Sequence, residues 1–145
     1  MPMNTTIEFV STVFIVHDNQ VLMTWNNKVH NWIPIGGHIE PNELPCDSVI
    51  REAKEESGLD IELISPSPQP ESANLVQPAH MHLDDVGDNH KHINLMYFAV
   101  VKGGSCHTTD DEGKELRWFS KQELETEKLL PNVKEWGLRS LELLH

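Results

Sequence analysis

GHIEPNELPCDSVIREAKEESGL, residues 37–59 of the chain, contains an acidic segment between two turns marked by glycine. We predict an α-helix over Pro45–Ser57 within it. Pro45 suits the first helical turn, where its missing N–H leaves no bond unmade, and Gly58 suits a left-handed C-cap. The rest of the chain is expected to pack around this helix.

The carboxylates of the predicted helix are concentrated. At about 100° per residue, Glu52, Glu55 and Glu56 fall on one face. Like charges on adjacent turns repel by about 0.2–0.5 kcal/mol per pair. Mg²⁺ or Mn²⁺, hard cations that prefer oxygen ligands, would offset this repulsion, so the pattern predicts a cation site. The inward, apolar face is predicted to comprise Cys46, Val49, Ile50 and Ala53.

The same stretch resembles the Nudix box, in which glycine, glutamate and an arginine–glutamate pair stand at fixed spacings. Every fixed position is filled here, although Ala53 is smaller than the hydrophobic residue usual at its place. The matching residues are Gly37, Glu43, Arg51, Glu52, Ala53, Glu55, Glu56, Gly58 and Leu59. A match at so many spaced positions is far more specific than a lone glycine-rich loop.

This resemblance implies a fold and an activity. The fold expected is α/β, a Nudix-like α/β/α sandwich with a mixed sheet and the box helix on one side. The activity expected is metal-dependent hydrolysis of a phosphoanhydride bond in a nucleoside diphosphate linked to another group X. That class covers nucleoside triphosphates, dinucleoside polyphosphates, ADP-ribose and nucleotide sugars. The alternative is a catalytically silent Nudix-fold module that senses or binds a nucleotide, and an isoprenoid diphosphate isomerase would need different catalytic residues.

The resemblance also implies roles for the box residues. Arg51 is expected to orient a glutamate, and Glu43 to support the site or add a metal contact. Two candidates for the general base remain: Glu52, and an acid in the loop that follows the longest predicted strand. The acids of that loop are Asp110, Asp111 and Glu112. The predicted oxygen ligands of Mg²⁺ or Mn²⁺ are the Gly37 carbonyl and the carboxylates of Glu52, Glu55 and Glu56.

Length and composition favour one domain over residues 1–145. No apolar run is long enough to span a membrane, and the N-terminus lacks a secretory signal pattern, so a cytoplasmic location is expected. The net charge of −12 argues against a long nucleic-acid partner. It allows a small nucleotide or other phosphorylated substrate when cations lie between the like charges. A homodimer is left open.

Strand patterns flank the predicted helix. Runs rich in β-branched and aromatic residues predict strands at residues 7–17, 20–25, 32–35, 61–64, 92–101 and 115–120. Residues 92–101 are expected at the centre of the sheet, whereas the proline-rich residues 65–78 predict a loop. Ser120 and Glu123 have the spacing of a capping box at a second helix. A terminal helix is expected after Pro131.

Histidines form two His-x-His pairs, His80 with His82 and His90 with His92. Their spacing matches no structural zinc pattern, so no zinc site is expected. We predict instead that His38, His90 and His92 bind the substrate, because imidazoles near a cleft can donate hydrogen bonds to a phosphate or a base. Four aromatic side chains could stack on a base, although such side chains more often belong to the hydrophobic core. They are Trp25, Trp32, Tyr97 and Trp118.

Overall fold

The computed structural model describes residues 4–106 and 115–145 of the protein. Within these residues the strands are β1 (Thr6–His17), β2 (Gln20–Asn26), β3 (Asn31–Ile33), β4 (Ile35–His38), β5 (Leu59–Ile64), β6 (His80–Gly87), β7 (His90–Gly104) and β8 (Leu116–Ser120). The helices there are α1 (Pro45–Ser57), α2 (Lys121–Thr126) and α3 (Pro131–Leu143). None of these three helices is long and apolar enough to cross a membrane.

The strands form one mixed sheet built around β1. β1 pairs in parallel with β7 in an unbroken register, from Thr6 opposite His90 to Val16 opposite Val100. On its other side β1 pairs antiparallel with β2 and β4, and β2 continues the sheet to β3 and β8. β5 and β6 pair antiparallel with β7. β7 therefore lies inside the sheet, which confirms the central position predicted for residues 92–101.

Alternate residues of β1 supply two separate cores, because successive side chains of a strand point to opposite faces. Val13 and Ile15 belong to a buried cluster that includes apolar residues of α1. Phe14 and Val16 belong to a second buried cluster, together with apolar residues of α2 and α3. The layers are thus α1, the sheet, and α2 with α3, which confirms the predicted α/β/α sandwich with the box helix on one side.

α1 has the bounds that the sequence predicts. Pro45 lies in its first turn, and Gly58 ends it with a φ of 82°, a left-handed conformation that costs glycine little. On the buried side of the helix, Ser48 accepts a hydrogen bond of 3.1 Å from the hydroxyl of Ser11 in β1. This bond holds the helix against the central strand. Leaving either buried hydroxyl without a partner would lower the free energy of unfolding by about 1–3 kcal/mol.

The predicted inward face of α1 is wrong at one position and incomplete at another. Ile50 is 38% exposed, whereas Glu56, predicted on the outer face, is only 8% exposed. Glu56 lies seven positions beyond Val49, which is about two helical turns, so both residues point in nearly the same direction. Glu56 therefore faces the sheet, and Glu55 is the more accessible of the two carboxylates.

The hairpin between β6 and β7 is tighter than the sequence predicts. The turn-forming residues at 84–89 predict a six-residue hairpin loop. In the structure the loop is only Asp88 and Asn89, because β6 pairs with β7 almost to the turn. These two residues have φ values of 51° and 57°, and Asp18 and Asn19 between β1 and β2 have 49° and 61°. Two consecutive positive φ values fit the type I′ turn, whose twist matches that of the flanking strands and which asparagine and aspartate tolerate.

Ser120 and Glu123 form the predicted capping box at the start of α2. The Ser120 hydroxyl accepts a bond of 3.2 Å from the Glu123 backbone N–H, and the Glu123 carboxylate accepts one of 3.0 Å from the Ser120 backbone N–H. This backbone bond, with a further bond from Arg117, holds the pKa of Glu123 below its ordinary value. The carboxylate is therefore ionised in the folded protein well below neutral pH.

We expect Glu123→Gln to lower the free energy of unfolding at pH 7 and to have a smaller effect near about pH 3.5. A carboxyl whose pKa is lowered by folding stabilises the protein above its unfolded pKa, about 4.3, and loses that contribution as the pH falls through its folded pKa. Urea unfolding of both proteins at both pH values measures this, with Glu142→Gln, an exposed change on α3, as the control. A deficit that stays constant with pH would contradict the assignment.

Candidate active site

β4 brings Gly37 against the box helix. Gly37 pairs with Ser11 of β1, the strand to which α1 is bonded. A Cβ placed on Gly37 would lie 2.6 Å from Oε1 and 2.8 Å from Cδ of Glu52, closer than such atoms approach in proteins. The carboxylate of Glu52 thus rests on the backbone of β4, in a space that any side chain at position 37 would fill.

Arg51 links the acidic residues around the start of α1. Its guanidinium donates two hydrogen bonds to Glu43, of 2.8 Å from Nε and 3.0 Å from Nη2. Its Nη1 donates to Glu52 at 3.1 Å and to Glu55 at 3.3 Å. A weaker bond of 3.4 Å joins Nη2 to the carbonyl oxygen of His38. One cation therefore ties together three carboxylates and the end of β4.

The pair between Arg51 and Glu43 is bidentate, a geometry stronger than a single contact between charges. The hydrogen bond from Arg51, with a backbone bond from Glu40, lowers the pKa of Glu43 to about 2. The same pair raises the pKa of Arg51. A carboxylate so weakly basic is a poor proton acceptor at neutral pH. The arrangement suits Glu43 to positioning Arg51.

The box residues offer the oxygen donors that a hard divalent cation requires. The side chain of Glu52 is 16% exposed and that of Glu55 is 58% exposed, while Glu56 is buried on the sheet side of the helix. Carboxylates and a backbone carbonyl are the ligands that Mg²⁺ and Mn²⁺ prefer. The donor set, and the space that Gly37 leaves beside Glu52, fit such an ion.

A different set of side chains meets on the other face of the sheet. Glu8, His38 and His92 each offer one donor atom, and the three atoms lie within 4.8 Å of one another. Nε2 of His38 is 3.5 Å and Nε2 of His92 is 3.9 Å from Oε1 of Glu8. His90 also contacts this oxygen. We refer to Glu8, His38, His90 and His92 as the histidine cluster.

The register of the sheet assembles the histidine cluster. Glu8 of β1 lies directly opposite His92 in the parallel pair with β7. His38 follows Gly37 in β4, so its side chain points to the face opposite the one on which Glu52 rests. The sequence therefore identifies the histidines but misses Glu8, because nothing in a local pattern indicates that positions 8 and 92 become neighbours.

Charge and burial oppose each other within the cluster. Desolvation alone would raise the pKa of Glu8, but its contacts with His90 and His38 hold that pKa below its ordinary value. Burial lowers the pKa of His92, and the neighbouring His38 and His90 lower it further. His92 is therefore favoured in its neutral form, with a lone pair available on one ring nitrogen.

The other predicted histidine pair lies elsewhere. His80 stacks on Trp136 of α3 with ring centroids 4.4 Å apart. Nε2 of His82 is 3.0 Å from Oδ1 of Asp84. His80 and His82 therefore pack between β6 and α3 and do not join the histidine cluster.

A cavity of about 800 Å³ adjoins the cluster at the end of the sheet. Its lining residues are Glu8, Phe9, His38, Ile39, Glu40, Pro41 and Pro45. None of these is a carboxylate of α1, so the cavity lies beside the box carboxylates and does not contain them. It gives a ligand access to Glu8 and His38 from solvent.

Two of the predicted aromatic candidates, Tyr97 and Trp32, do not join the site. Tyr97 is 2% exposed and belongs to the core on the α1 side. Trp32 makes edge contacts with Trp25 and Phe119, at centroid distances of 5.4 and 5.7 Å, as a packed side chain does. The acids offered as an alternative general base, Asp110, Asp111 and Glu112, lie outside the described residues.

Comparison with known proteins places this architecture in a class. The profile of the NUDIX domain matches residues 8–142. A NUDIX-family hydrolase from Clostridium perfringens is 35% identical, and the two structures superpose with a TM-score of 0.82 over 95% of this chain and 98% of the other. A MutT NUDIX hydrolase from Burkholderia pseudomallei, 19% identical, superposes with a TM-score of 0.67 over 97% of this chain and 99% of the other, and shows the fold alone.

Curated relatives match a shorter segment. The asymmetrical bis(5'-nucleosyl)-tetraphosphatase of Sus scrofa is 37% identical over 57 residues, which are 39% of this chain and 31% of that protein. The corresponding protein of Rattus norvegicus is 33% identical over 57 residues, with the same coverage. The chain therefore spans about a third of the length of the curated relatives that it matches.

A mixed sheet that carries an arginine–glutamate helix on one face, with a glycine strand against that helix, defines the Nudix fold class. The chain belongs to the NUDIX hydrolase family.

We expect Gly37→Ala to weaken Mn²⁺ binding by about 10–100-fold while the fold is retained, because the new methyl group displaces a carboxylate that positions or binds the ion. The group displaced is the flexible end of Glu52, so the fold can adjust. Calorimetric titration with Mn²⁺ and thermal unfolding measure both effects.

Gly103→Ala is the matched control, because its Cβ would meet the nearest atom, Oδ2 of Asp60, at an ordinary 3.5 Å. Gly36→Ala is the opposite case, since its Cβ would overlap the backbone carbonyl of Ser11 and should impair folding. If Gly37→Ala bound Mn²⁺ with unchanged affinity, Gly37 would not be part of the metal site.

Proposed function

We propose that the protein is a metal-dependent hydrolase that cleaves a phosphoanhydride bond in a nucleoside diphosphate linked to another group X. The observation that carries this proposal is the contact between Glu52 and the backbone of Gly37, with Arg51 bonded to Glu52, Glu55 and Glu43 around it. Membership of the NUDIX hydrolase family supports it. A charged, mostly buried carboxylate held this way supports a chemical role for Glu52.

In this proposal Mg²⁺ or Mn²⁺ is held by Glu52, Glu55 and Glu56 with the carbonyl of Gly37. When bound, the ion neutralises charge on the phosphates and lowers the pKa of a coordinated water. The protein supplies a preorganised set of negative oxygens. Arg51 keeps Glu52 and Glu55 at fixed positions, and Glu43 fixes Arg51 in turn. The net charge of −12 favours such a cation, because it would lie between the negative protein and a negative polyphosphate.

The general base is assigned to one of two places. Glu52 is the candidate on α1, where its carboxylate is mostly buried and close to Gly37. The other candidates are Asp110, Asp111 and Glu112, whose sequence position after β7 would bring an acid from a second element. A base contributes about 10²–10⁴-fold to the rate. When each acid is replaced with its amide in turn, the variant with the largest loss of kcat identifies the base.

Among the groups X, dinucleoside polyphosphates are the first to test, with nucleoside triphosphates, ADP-ribose and nucleotide sugars beside them. The support is the identity shared with the asymmetrical bis(5'-nucleosyl)-tetraphosphatases over 57 residues. We further propose that residues 1–145 act as one domain in the cytoplasm. Cys46 is a thiol packed against the core on the α1 side, which suits a reducing compartment.

We expect Glu55→Gln to lower kcat by a factor of 100 or more, on the order expected for loss of a group that acts in the transition state, with little change in Tm. Glu55 is the accessible carboxylate, so its removal relieves charge repulsion at small structural cost. Glu56 is buried, and Glu56→Gln tests its role only together with a stability measurement. Glu142→Gln, exposed on α3, is the matched control. If Glu55→Gln kept full turnover, α1 would not be the catalytic helix.

The experiment that tests the function is a product-release assay. The protein is incubated with a panel of nucleotides and Mg²⁺, and both products of any cleaved compound are identified. Cleavage between phosphates of one class, abolished by chelation and by Glu55→Gln, is the expected result. Binding of a nucleotide without release of product would contradict the proposal and identify the silent binding module.

A further inference from the structure

We propose that the histidine cluster is a second metal site, specific for a transition-metal ion such as Zn²⁺ and separate from the oxygen-donor site on α1. Its ligands are Glu8, His38 and His92, with His90 beside them. Two of its three ligands, Glu8 and His92, lie outside the Nudix box, and the site stands independently of the proposed hydrolysis.

The first support is geometry. In a tetrahedral zinc site with bonds of about 2.0–2.1 Å, ligand atoms are about 3.3–3.4 Å apart. Nε2 of His38 already lies 3.5 Å from Oε1 of Glu8, and Nε2 of His92 lies 3.9 Å from it. All three donor atoms fall within 4.8 Å. Side-chain movements of about 1 Å or less close this triangle to zinc dimensions.

The second support is the state of the donors. Nε2 of His92 is buried and makes no hydrogen bond within the described residues, although a buried ring nitrogen is normally satisfied. A metal ion at the centre of the cluster would give this nitrogen a partner.

The third support is the contrast between the two faces of the sheet. Two imidazoles and one carboxylate, with room for a fourth ligand from solvent, are a known zinc combination, and imidazole nitrogen favours zinc over Mg²⁺. The α1 face offers oxygen alone. Because Gly37 and His38 are consecutive in β4, an ion in the histidine cluster would join β1, β4 and β7 at the point where Gly37 meets Glu52. An ion bound there would therefore stabilise this end of the sheet.

The spacing of the two His-x-His pairs in the sequence predicts no zinc site. In the folded protein those pairs separate, and the donors come from three strands and from positions 8, 38 and 92. Local spacing rules do not apply to such a site. The competing interpretation is that the histidines bind the substrate directly without a metal.

The test is calorimetric titration of the chelator-treated, metal-free protein with ZnSO₄, without Mg²⁺ or nucleotide. We expect one strong site per chain, and a rise in Tm of about 5 °C or more at saturating zinc. Glu8→Gln and His92→Gln should each weaken this site by 10-fold or more, on the order reported for altered metal ligation. The side chain of Glu8 is 41% exposed, so its variant keeps the test valid if His92→Gln folds poorly.

Three control variants should retain the zinc site. His30→Ala changes an exposed histidine outside the cluster, and His82→Ala changes the histidine pair beside α3. Glu55→Gln changes the α1 site and shows whether zinc is simply binding to the box carboxylates. Loss of zinc binding in His82→Ala or Glu55→Gln, with retention in Glu8→Gln, would overturn the proposal. Absence of zinc binding, with His92→Gln raising only the KM for nucleotide, would overturn it in favour of direct substrate contact.

Discussion

The guanidinium of Arg51 is the interaction on which the acidic helix depends. Glu43, Glu52 and Glu55 would repel one another if left alone, and each accepts a hydrogen bond from the same guanidinium at 2.8–3.3 Å. The bidentate bond to Glu43 fixes the orientation of the guanidinium plane, which a lysine could not do. The carboxylates are therefore ordered without being neutralised by burial, and Glu55 in particular remains accessible.

The second constraint is the parallel register between β1 and β7. It extends over eleven residue pairs, from Thr6 with His90 to Val16 with Val100, and it carries different chemistry on each side of one strand. On the α1 side, Ser11 bonds to Ser48 and pairs with Gly37, which brings the box helix to β4. On the other side the same register places Glu8 beside His92. The sheet thus separates the box carboxylates from the histidine cluster, although Gly37 and His38, which face them, are adjacent in β4.

The parts of this arrangement that the sequence predicts are those encoded locally. The bounds of α1 follow from Pro45 and Gly58, and the capping box of α2 follows from Ser120 and Glu123, because each signal acts within a few residues. The burial of Glu56 follows from its seven-residue distance to the buried Val49. The charge of its side chain instead predicts a place on the outer face with Glu52 and Glu55. The meeting of Glu8 with His92 depends on strand pairing across more than half the chain, and no local pattern encodes it.

Anomalous diffraction from crystals grown with Mn²⁺ tests the central claim, that α1 and β4 together form a divalent-cation site, most directly. The account predicts an anomalous peak between the carboxylates of Glu52, Glu55 and Glu56 and the carbonyl oxygen of Gly37. A peak at the histidine cluster alone, or no peak near α1 at saturating Mn²⁺, would contradict it.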